Sequence, residues 1–96
     1  MSTIQSDEAL YGLLVRAGEV RSYQLGDVVF EKGAPGDAMY VVKAGLVALT
    51  DGDRLLDRVE APGMFGEMAL LESEPRALTA TVETDTELVE IPARTF

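Results

Sequence analysis

The sequence predicts one small all-β domain preceded by a helix. Three observations indicate this class. The chain has 96 residues, the size of a single domain. Helical periodicity is confined to the first 18 residues, and short apolar runs then alternate with turn residues about every 8–12 positions, as in β-sandwiches and rolls. The predicted bounds are 1–18 for the helical segment, 19–91 for the β-roll and 92–96 for the start of a further helix.

The N-terminal segment has the capping and periodicity of a helix. Ser6 is the predicted N-cap, followed by Asp7 and Glu8, where the helix dipole favours acids. Gly18 is expected to end the helix in a left-handed conformation. We interpret this helix as a cover for one end of the domain, with a partner-binding helix as the alternative. Its predicted apolar face consists of Ala9, Leu10, Leu13, Leu14 and Ala17.

The strands are predicted from apolar runs bounded by turns. Asp51-Gly52-Asp53 is a strong hairpin signal, and residues 32–37 form a loop with two glycines and a proline. Pro92 opens the last predicted segment, because proline suits the first turn of a helix. The predicted strands are 28–30, 39–42, 46–50, 55–59, 78–82 and 88–91, after a first extended segment that begins at Glu19.

Composition excludes several functions. The net charge of −9 repels nucleic acids, so no nucleic-acid contact is expected through this domain. The chain has no histidine and no cysteine, which argues against a metal site and against most acid–base or thiol catalysis. No apolar run is long enough to span a bilayer, and no signal peptide is visible. We therefore expect a cytoplasmic domain without enzymatic activity, a metal or a membrane partner.

Residues 65–79 depart from the strand pattern and carry the chemistry. Residues 67–71 are helix formers, but the stretch is long enough only for about one turn. Gly66 lets the backbone approach another group closely, and the first amides of such a turn lack intrahelical partners and can bind an anion. Between Arg58 and Arg94 the one basic residue is Arg76, and the same span holds eight acids. An anionic ligand here would need Arg76, whose planar fork suits a phosphate.

The same segment resembles a known motif. Gly66-Glu67-x-Ala69-Leu70, five residues, then Arg76-Ala77-x-Thr79 is similar to the phosphate-binding cassette of cyclic-nucleotide-binding domains. This family includes the catabolite activator protein, the regulatory subunits of protein kinase A and the cyclic-nucleotide-gated channels. The pattern of glycines and apolar residues over 26–45 resembles the family's first hairpins. The resemblance implies a double-stranded β-helix, or jelly-roll-like β-roll, with an N-terminal helix and a short helix in the cassette.

The resemblance also implies roles for single residues. Arg76 would pair with the exocyclic phosphate oxygens, and Glu67 would accept a hydrogen bond from the ribose 2′-hydroxyl. Gly66 would let the backbone close on the ribose, while Val59 and Leu70 would face the sugar and base. The amides of Ala69 and Ala77 would donate to the phosphate. The complete set of predicted ligand-binding residues is Gly66, Glu67, Met68, Ala69, Arg76, Ala77, Leu78 and Thr79.

Each assignment has a plainer alternative. Arg76 could form a surface ion pair with Glu72 or Glu74. Glu67 could complement the helix dipole, and Thr79 could be an ordinary strand residue. Leu78 stands where the family usually has a small residue, so it points either into the core or at the ligand. Met68, Leu70 and Leu71 are interpreted as core residues.

The predicted function is that of a regulatory sensor. The chain would bind a cyclic nucleotide in a signalling or transcription-regulatory protein, with cAMP favoured over cGMP because Ala77 replaces the threonine of many cGMP-preferring members. Family members continue with two helices that cover the base, so the chain is expected to be truncated before them, and a homodimer or a downstream output domain is possible. The alternatives are a β-roll interaction module that binds no nucleotide and, more remotely, a cupin-like metalloenzyme.

Overall fold

A computed structural model describes the backbone of residues 3–72 and 74–95 and the side chains of residues 9–69 and 74–94. Helix α1 spans Thr3–Ala17, helix α2 spans Glu67–Glu72, and a single 3-10 turn covers Ala93–Thr95. The eight strands are β1 (Glu19–Tyr23), β2 (Val28–Phe30), β3 (Ala38–Ala44), β4 (Leu46–Asp51), β5 (Arg54–Glu60), β6 (Met64–Phe65), β7 (Thr79–Val82) and β8 (Thr86–Pro92).

The strands form two four-stranded antiparallel sheets. The order is β1-β8-β3-β6 in one sheet and β2-β7-β4-β5 in the other. In the first sheet Val41 lies opposite Val89, and in the second Val47 lies opposite Val82. Consecutive strands often lie in different sheets, which makes the chain wind as a β-roll. The predicted all-β fold with a leading helix and a short cassette helix is therefore confirmed.

Strand β3 carries the two cores of the domain on its two faces. Successive side chains of a strand point to opposite sides of the sheet. Tyr40 and Val42 therefore lie in the main core between the sheets, whereas Met39 and Val41 lie in a second core under α1. All four are nearly inaccessible to solvent. The main core comprises Ala38, Tyr40, Val42, Val47, Phe65, Ala80, Val82 and Leu88.

Helix α1 packs on the second core, but through a different face from the predicted one. The contacts come from Tyr11, Leu14 and Val15, whose i, i+3, i+4 spacing forms one stripe. The predicted face was wrong for Leu10 and Leu13, which are 47% and 60% exposed. Tyr11 fixes the rotation of the helix: its ring packs on the core and its hydroxyl donates to the Val42 carbonyl at 3.5 Å.

Two further expectations about α1 were wrong. The helix begins at Thr3, so Ser6 lies within it and is not the N-cap. The chain has no glycine or proline between Thr3 and Ser6 that would delay the helix. Gly18 does not have a positive φ. A Cβ at Gly18 would overlap the Glu90 carbonyl and lie 2.7 Å from Val89 Cγ1, so this glycine permits close packing on β8.

The other element predictions agree with the structure to within a few residues. The 28–30 strand is confirmed at its exact bounds, and the hairpin turns at Gly52 with φ of 62°. Strand β6, of two residues, was missed, because a pair of apolar residues has no detectable period. Pro92 ends β8 instead of beginning a helix, and the turn after it is of the 3-10 type.

Candidate functional site

A cavity of about 310 Å³ lies beside α2, in the size range of small-molecule sites. It is bounded by the segment from β6 to β7 on one side and by β4 and β5 on the other. Leu49 and Asp57 face it from neighbouring strands, where they are cross-strand partners. Its lining comprises Phe30, Leu49, Asp57, Val59, Met64, Phe65, Gly66, Glu67, Met68, Ala69, Glu74, Pro75, Arg76, Ala77 and Leu78.

Gly66 forms the turn between β6 and α2. Its φ is 84°, a left-handed conformation that a residue with a side chain rarely adopts. A Cβ at this position would also lie 2.8 Å from Arg76 Nη1. Glycine is therefore needed at this position for two reasons: the positive φ of the turn and the close approach of the Arg76 side chain. Glu67, directly after it, is the first residue of α2 and is partly buried.

Arg76 is the polar centre of the site. Only 3% of the residue is exposed, which is exceptional for an arginine. Nη1 donates to the Gly66 carbonyl at 2.9 Å, and Nη2 donates to the Ala38 carbonyl at 2.6 Å. The Nε–H group is also buried, and it has no hydrogen-bond partner within the part of the chain that the structure describes. An unpaired buried donor is costly, which makes this group a candidate contact for a bound anion.

The surroundings of Arg76 are aromatic as well as polar. Its Cζ lies 4.1 Å from the ring centroid of Phe30 and 5.8 Å from that of Tyr40. Burial lowers the pKa of the guanidinium below its ordinary value, while Tyr40 and Asp37 act in the opposite direction. The group is still protonated at neutral pH, because arginine does not lose its proton under such conditions. The site therefore keeps a desolvated positive charge.

The backbone of Arg76 is fixed by the loop between β2 and β3. Gly33 N–H donates to the Arg76 carbonyl, and Arg76 N–H donates to the Ala34 carbonyl, both at 2.8 Å. Gly36 of the same loop packs on α2: a Cβ there would overlap the Cβ of Ala69 and lie 2.9 Å from the Glu74 carbonyl. The loop thus holds both α2 and the arginine in place.

The charge balance of the cavity singles out Arg76. Among the described lining residues, Arg76 is the one base, and Asp57, Glu67 and Glu74 are acids. An anionic group is therefore attracted at one end, near the guanidinium. The acids offer acceptors to neutral hydroxyl or amine groups elsewhere in a ligand. A ligand with one anionic group and several donors matches this distribution.

The structure brings most of the predicted site residues together. Seven of the eight line the cavity: Gly66, Glu67, Met68, Ala69, Arg76, Ala77 and Leu78. Thr79 does not line it, and its hydroxyl accepts a hydrogen bond from Lys32 N–H at 3.0 Å. Val59 lines the cavity as expected. The side chains of Leu70 and Leu71, interpreted as core, lie outside the described residues.

Two of the plainer alternatives are wrong. Met68 is not a core residue, because it is 56% exposed at the cavity. Arg76 is not a surface residue: it is buried, and no salt bridge joins it to Glu74, whose side chain the structure describes. The side chain of Glu72, the other predicted partner, lies outside the described residues. Leu78, left open between core and ligand, lines the cavity.

Sequence reasoning missed part of the lining. Phe30 and Leu49 belong to strands far from the cassette in sequence, whereas Asp57 lies two positions before Val59 on the same face of β5. The pairing of β4 with β5 places Leu49 and Asp57 on the cavity, and this register depends on an irregularity between Leu49 and Thr50. Strand alternation alone could not reveal such a shift.

Two kinds of feature are absent from the described residues. No group of three or more histidines, cysteines or acids within residues 3–72 and 74–95 is placed to hold a metal ion. Neither described helix is long and apolar enough to cross a membrane.

The fold and the site together correspond to a known class of ligand-sensing domain. The family model of the cyclic nucleotide-binding domain matches residues 20–96. The chain belongs to this family, and the resemblance noted in the sequence is confirmed.

Relatives come from several kinds of regulatory protein. The chain is 36% identical over 76 residues to a cAMP-dependent protein kinase type II regulatory subunit of Drosophila melanogaster, covering 79% of this chain. It is 39% identical over 87 residues to a cGMP-dependent protein kinase of Eimeria tenella, covering 88%. The crystal structure of the Thermus thermophilus catabolite activator protein superposes with a TM-score of 0.79 at 31% identity, covering 88% of this chain and 42% of that one.

These relatives are much longer proteins. The chain spans 20% of the Drosophila subunit and 8% of the Eimeria kinase. The likeness therefore concerns one domain of each relative.

Proposed function

We propose that the cavity binds a cyclic nucleotide and that the chain acts as a regulatory sensor without a reaction of its own. The observation that carries the proposal is Arg76, a buried cation in a cavity lined by the cassette residues, whose Nε–H has no partner among the described side chains and backbone. A single negative phosphodiester would pair with this charge, which is otherwise poorly compensated.

The remaining parts of the ligand would be held by the predicted residues. Glu67 would accept a hydrogen bond from the ribose 2′-hydroxyl, and the amides of Ala69 and Ala77 would donate to the phosphate. Leu49 and Val59 would offer an apolar wall to the base. Thr79, with its hydroxyl already engaged by Lys32 N–H, is the predicted ligand residue with the least support.

The proposal favours cAMP over cGMP. Ala77 lies at the cavity and brings no hydroxyl to it, whereas many cGMP-preferring members carry threonine at this place. The relatives include both a cAMP-dependent and a cGMP-dependent kinase protein, so the preference rests on this residue. We also propose a cytoplasmic location and transmission of the signal to an output domain or through a homodimer.

Isothermal titration of the chain with cAMP and cGMP tests the proposal. We expect the wild type to bind both, cAMP more tightly. Arg76→Ala should lose about 2 kcal/mol or more of binding free energy, the scale of a charge-assisted contact. Arg58→Ala is the matched control, because the exposed Arg58 side chain pairs with Glu83 and does not line the cavity, unlike its neighbours Asp57 and Val59. It should bind as the wild type does.

A buried arginine also contributes to folding, so the variants need a second measurement. Thermal unfolding would show whether Arg76→Ala remains folded, and Arg76→Lys, which keeps the charge but not the fork, can replace it. The proposal fails if the wild type binds neither nucleotide at millimolar concentration. It also fails if folded Arg76→Ala and Arg76→Lys both bind as tightly as the wild type.

A further inference from the structure

Phe30 has an unusual position for a residue of a short outer strand. The pairing of β2 with β7 is irregular between Val28, opposite Thr81, and Phe30, opposite Ala80. A step of two residues along β2 thus corresponds to a step of one residue along β7, as in a β-bulge. Both Val29 and Phe30 pack against the main core, although a regular strand would turn one of them away.

Three aromatic rings from three strands pack against one another, and two of them, Phe30 and Phe65, line the cavity. Tyr40 and Phe65 are stacked, with centroids 5.3 Å apart and planes 17° apart. Phe30 is tilted against both, at 5.9 Å from each. The orientation of Phe30 is therefore set by its neighbours, and its face covers Arg76 at 4.1 Å.

We propose that Phe30 is a positioning residue that holds Arg76 ready for the phosphate, an inference that rests on the proposed function. The carbonyls of Gly66 and Ala38 bind the two terminal nitrogens of the guanidinium. Hydrogen bonds to these nitrogens lie near the plane of the group and leave its faces open. Phe30 packs against the guanidinium with Cζ over its ring, and this contact is a second restraint on the motion of the group. With both restraints the Nε–H group is held in place, and it has no hydrogen-bond partner among the residues whose side chains the structure describes.

An aromatic ring is chemically suited to this task, whereas an aliphatic side chain is not. The guanidinium has lost its water, and the negative face of a ring compensates a desolvated cation without using any of its N–H groups. A further carbonyl or carboxylate would have paired with Nε and removed the donor. The direction of the pKa change of Arg76 agrees with this desolvated environment.

Phe30→Leu removes the ring and retains apolar contacts, and Phe30→Tyr restores the ring. Phe30 is partly exposed, which leaves a tyrosine hydroxyl a route to water. We expect Phe30→Leu to weaken cAMP binding about tenfold, a typical cation–π contribution, and Phe30→Tyr to stay within about twofold of the wild type. In an Arg76→Ala background, Phe30→Leu should change the affinity by less than about twofold, because its effect passes through Arg76.

A spectroscopic measurement on the ligand-free protein separates positioning from general stability. The ¹⁵N–¹H resonance of Arg76 Nε, assigned by its loss in Arg76→Ala, should be shifted upfield by the Phe30 ring and exchange slowly with solvent. It should move towards the exposed-arginine position in Phe30→Leu and keep its shift in Phe30→Tyr. If Phe30→Leu does not fold, Phe30→Met, which fills a similar space without a ring, takes its place.

The inference is overturned if the ring-free variant binds cAMP like the wild type, or loses affinity equally with and without Arg76. It is also overturned if the Arg76 Nε resonance is unshifted in the wild type. Failure of the wild type to bind any cyclic nucleotide would instead refute the proposed function. The resonance would still report whether Phe30 covers Arg76.

Discussion

At the scale of single residues, the main feature is that a charge and a phenol are buried together. The Arg76 Cζ lies 5.8 Å from the centroid of the Tyr40 ring, and the two residues are 3% and 7% exposed. A buried cation with an unpaired donor lowers stability, and proteins tolerate such groups mostly at functional sites. The cost of burying Arg76 is thus consistent with a site that becomes fully satisfied only when a ligand binds.

Tyr40 gives a prediction for pH. Burial, followed by the charges of Glu90 and Tyr23, raises its pKa from 10.0 to about 12. The folded state therefore favours the neutral phenol. The contribution of the neutral phenol to folding stability is complete below about pH 10, the pKa of tyrosine in the unfolded chain. It declines as the pH rises from about 10 to about 12, the pKa in the folded state. Absorbance titration at 295 nm should show a component near pH 12 that Tyr40→Phe lacks. If Tyr40→Phe instead loses a component near pH 10, the raised pKa of Tyr40 is contradicted.

At the scale of elements, α2 is positioned by a loop and not by its own stability. Six residues cannot form a stable helix alone. The loop between β2 and β3 supplies the contact, through Gly36 against Ala69 and through two backbone hydrogen bonds to Arg76. The cassette therefore depends on a segment about thirty residues earlier in the chain.

Gly36→Ala tests this dependence. The added Cβ would overlap Ala69 and push α2 outward, so we expect a loss of about 1–3 kcal/mol in the free energy of unfolding and weaker nucleotide binding. Gly12→Ala is the matched control, since a Cβ there meets nothing nearer than the Arg16 side chain at 3.9 Å. It should stabilise α1 by about 0.5–1 kcal/mol. Urea unfolding and calorimetric titration measure both effects, and equal outcomes for the two variants would refute the role of Gly36.

The packing face of α1 gives a second prediction for an element. Leu14 contacts the second core, whereas Leu13 is 60% exposed. Leu14→Ala should cost about 1–3 kcal/mol of unfolding free energy, and Leu13→Ala should stay within about 0.5 kcal/mol of the wild type. Urea denaturation of the pair checks the rotation of the helix. A larger loss of unfolding free energy for Leu13→Ala than for Leu14→Ala would contradict this packing face and support the one predicted from the sequence.

At the scale of the whole molecule, the sequence predicted the fold class and most of the cassette side of the site. Turn residues mark the strand ends directly, which made the fold class predictable. The cassette residues from Gly66 to Leu78 lie in one short segment, so their local pattern was enough to predict that side of the site. On the opposite wall Val59 was predicted, and Asp57 was missed although it lies two positions before Val59 on the same face of β5. Leu49 and Phe30 were not predictable, because both lie beside irregularities in strand pairing. The rotation of α1 was also missed. Of the five apolar residues in the predicted face only Leu14 contacts the second core, and the other two contacts come from Tyr11 and Val15.

The central claim is that a cyclic nucleotide enters the cavity between α2 and β5 with its phosphate at Arg76. The most direct measurement is a ¹H–¹⁵N titration of the uniformly labelled chain with cAMP. The account predicts saturable shifts of the amides of Gly66, Ala69 and Ala77 and of the Arg76 Nε–H, with the amides of α1 nearly unchanged. The absence of shifts at millimolar cAMP, or shifts centred on α1 and β1, would contradict it.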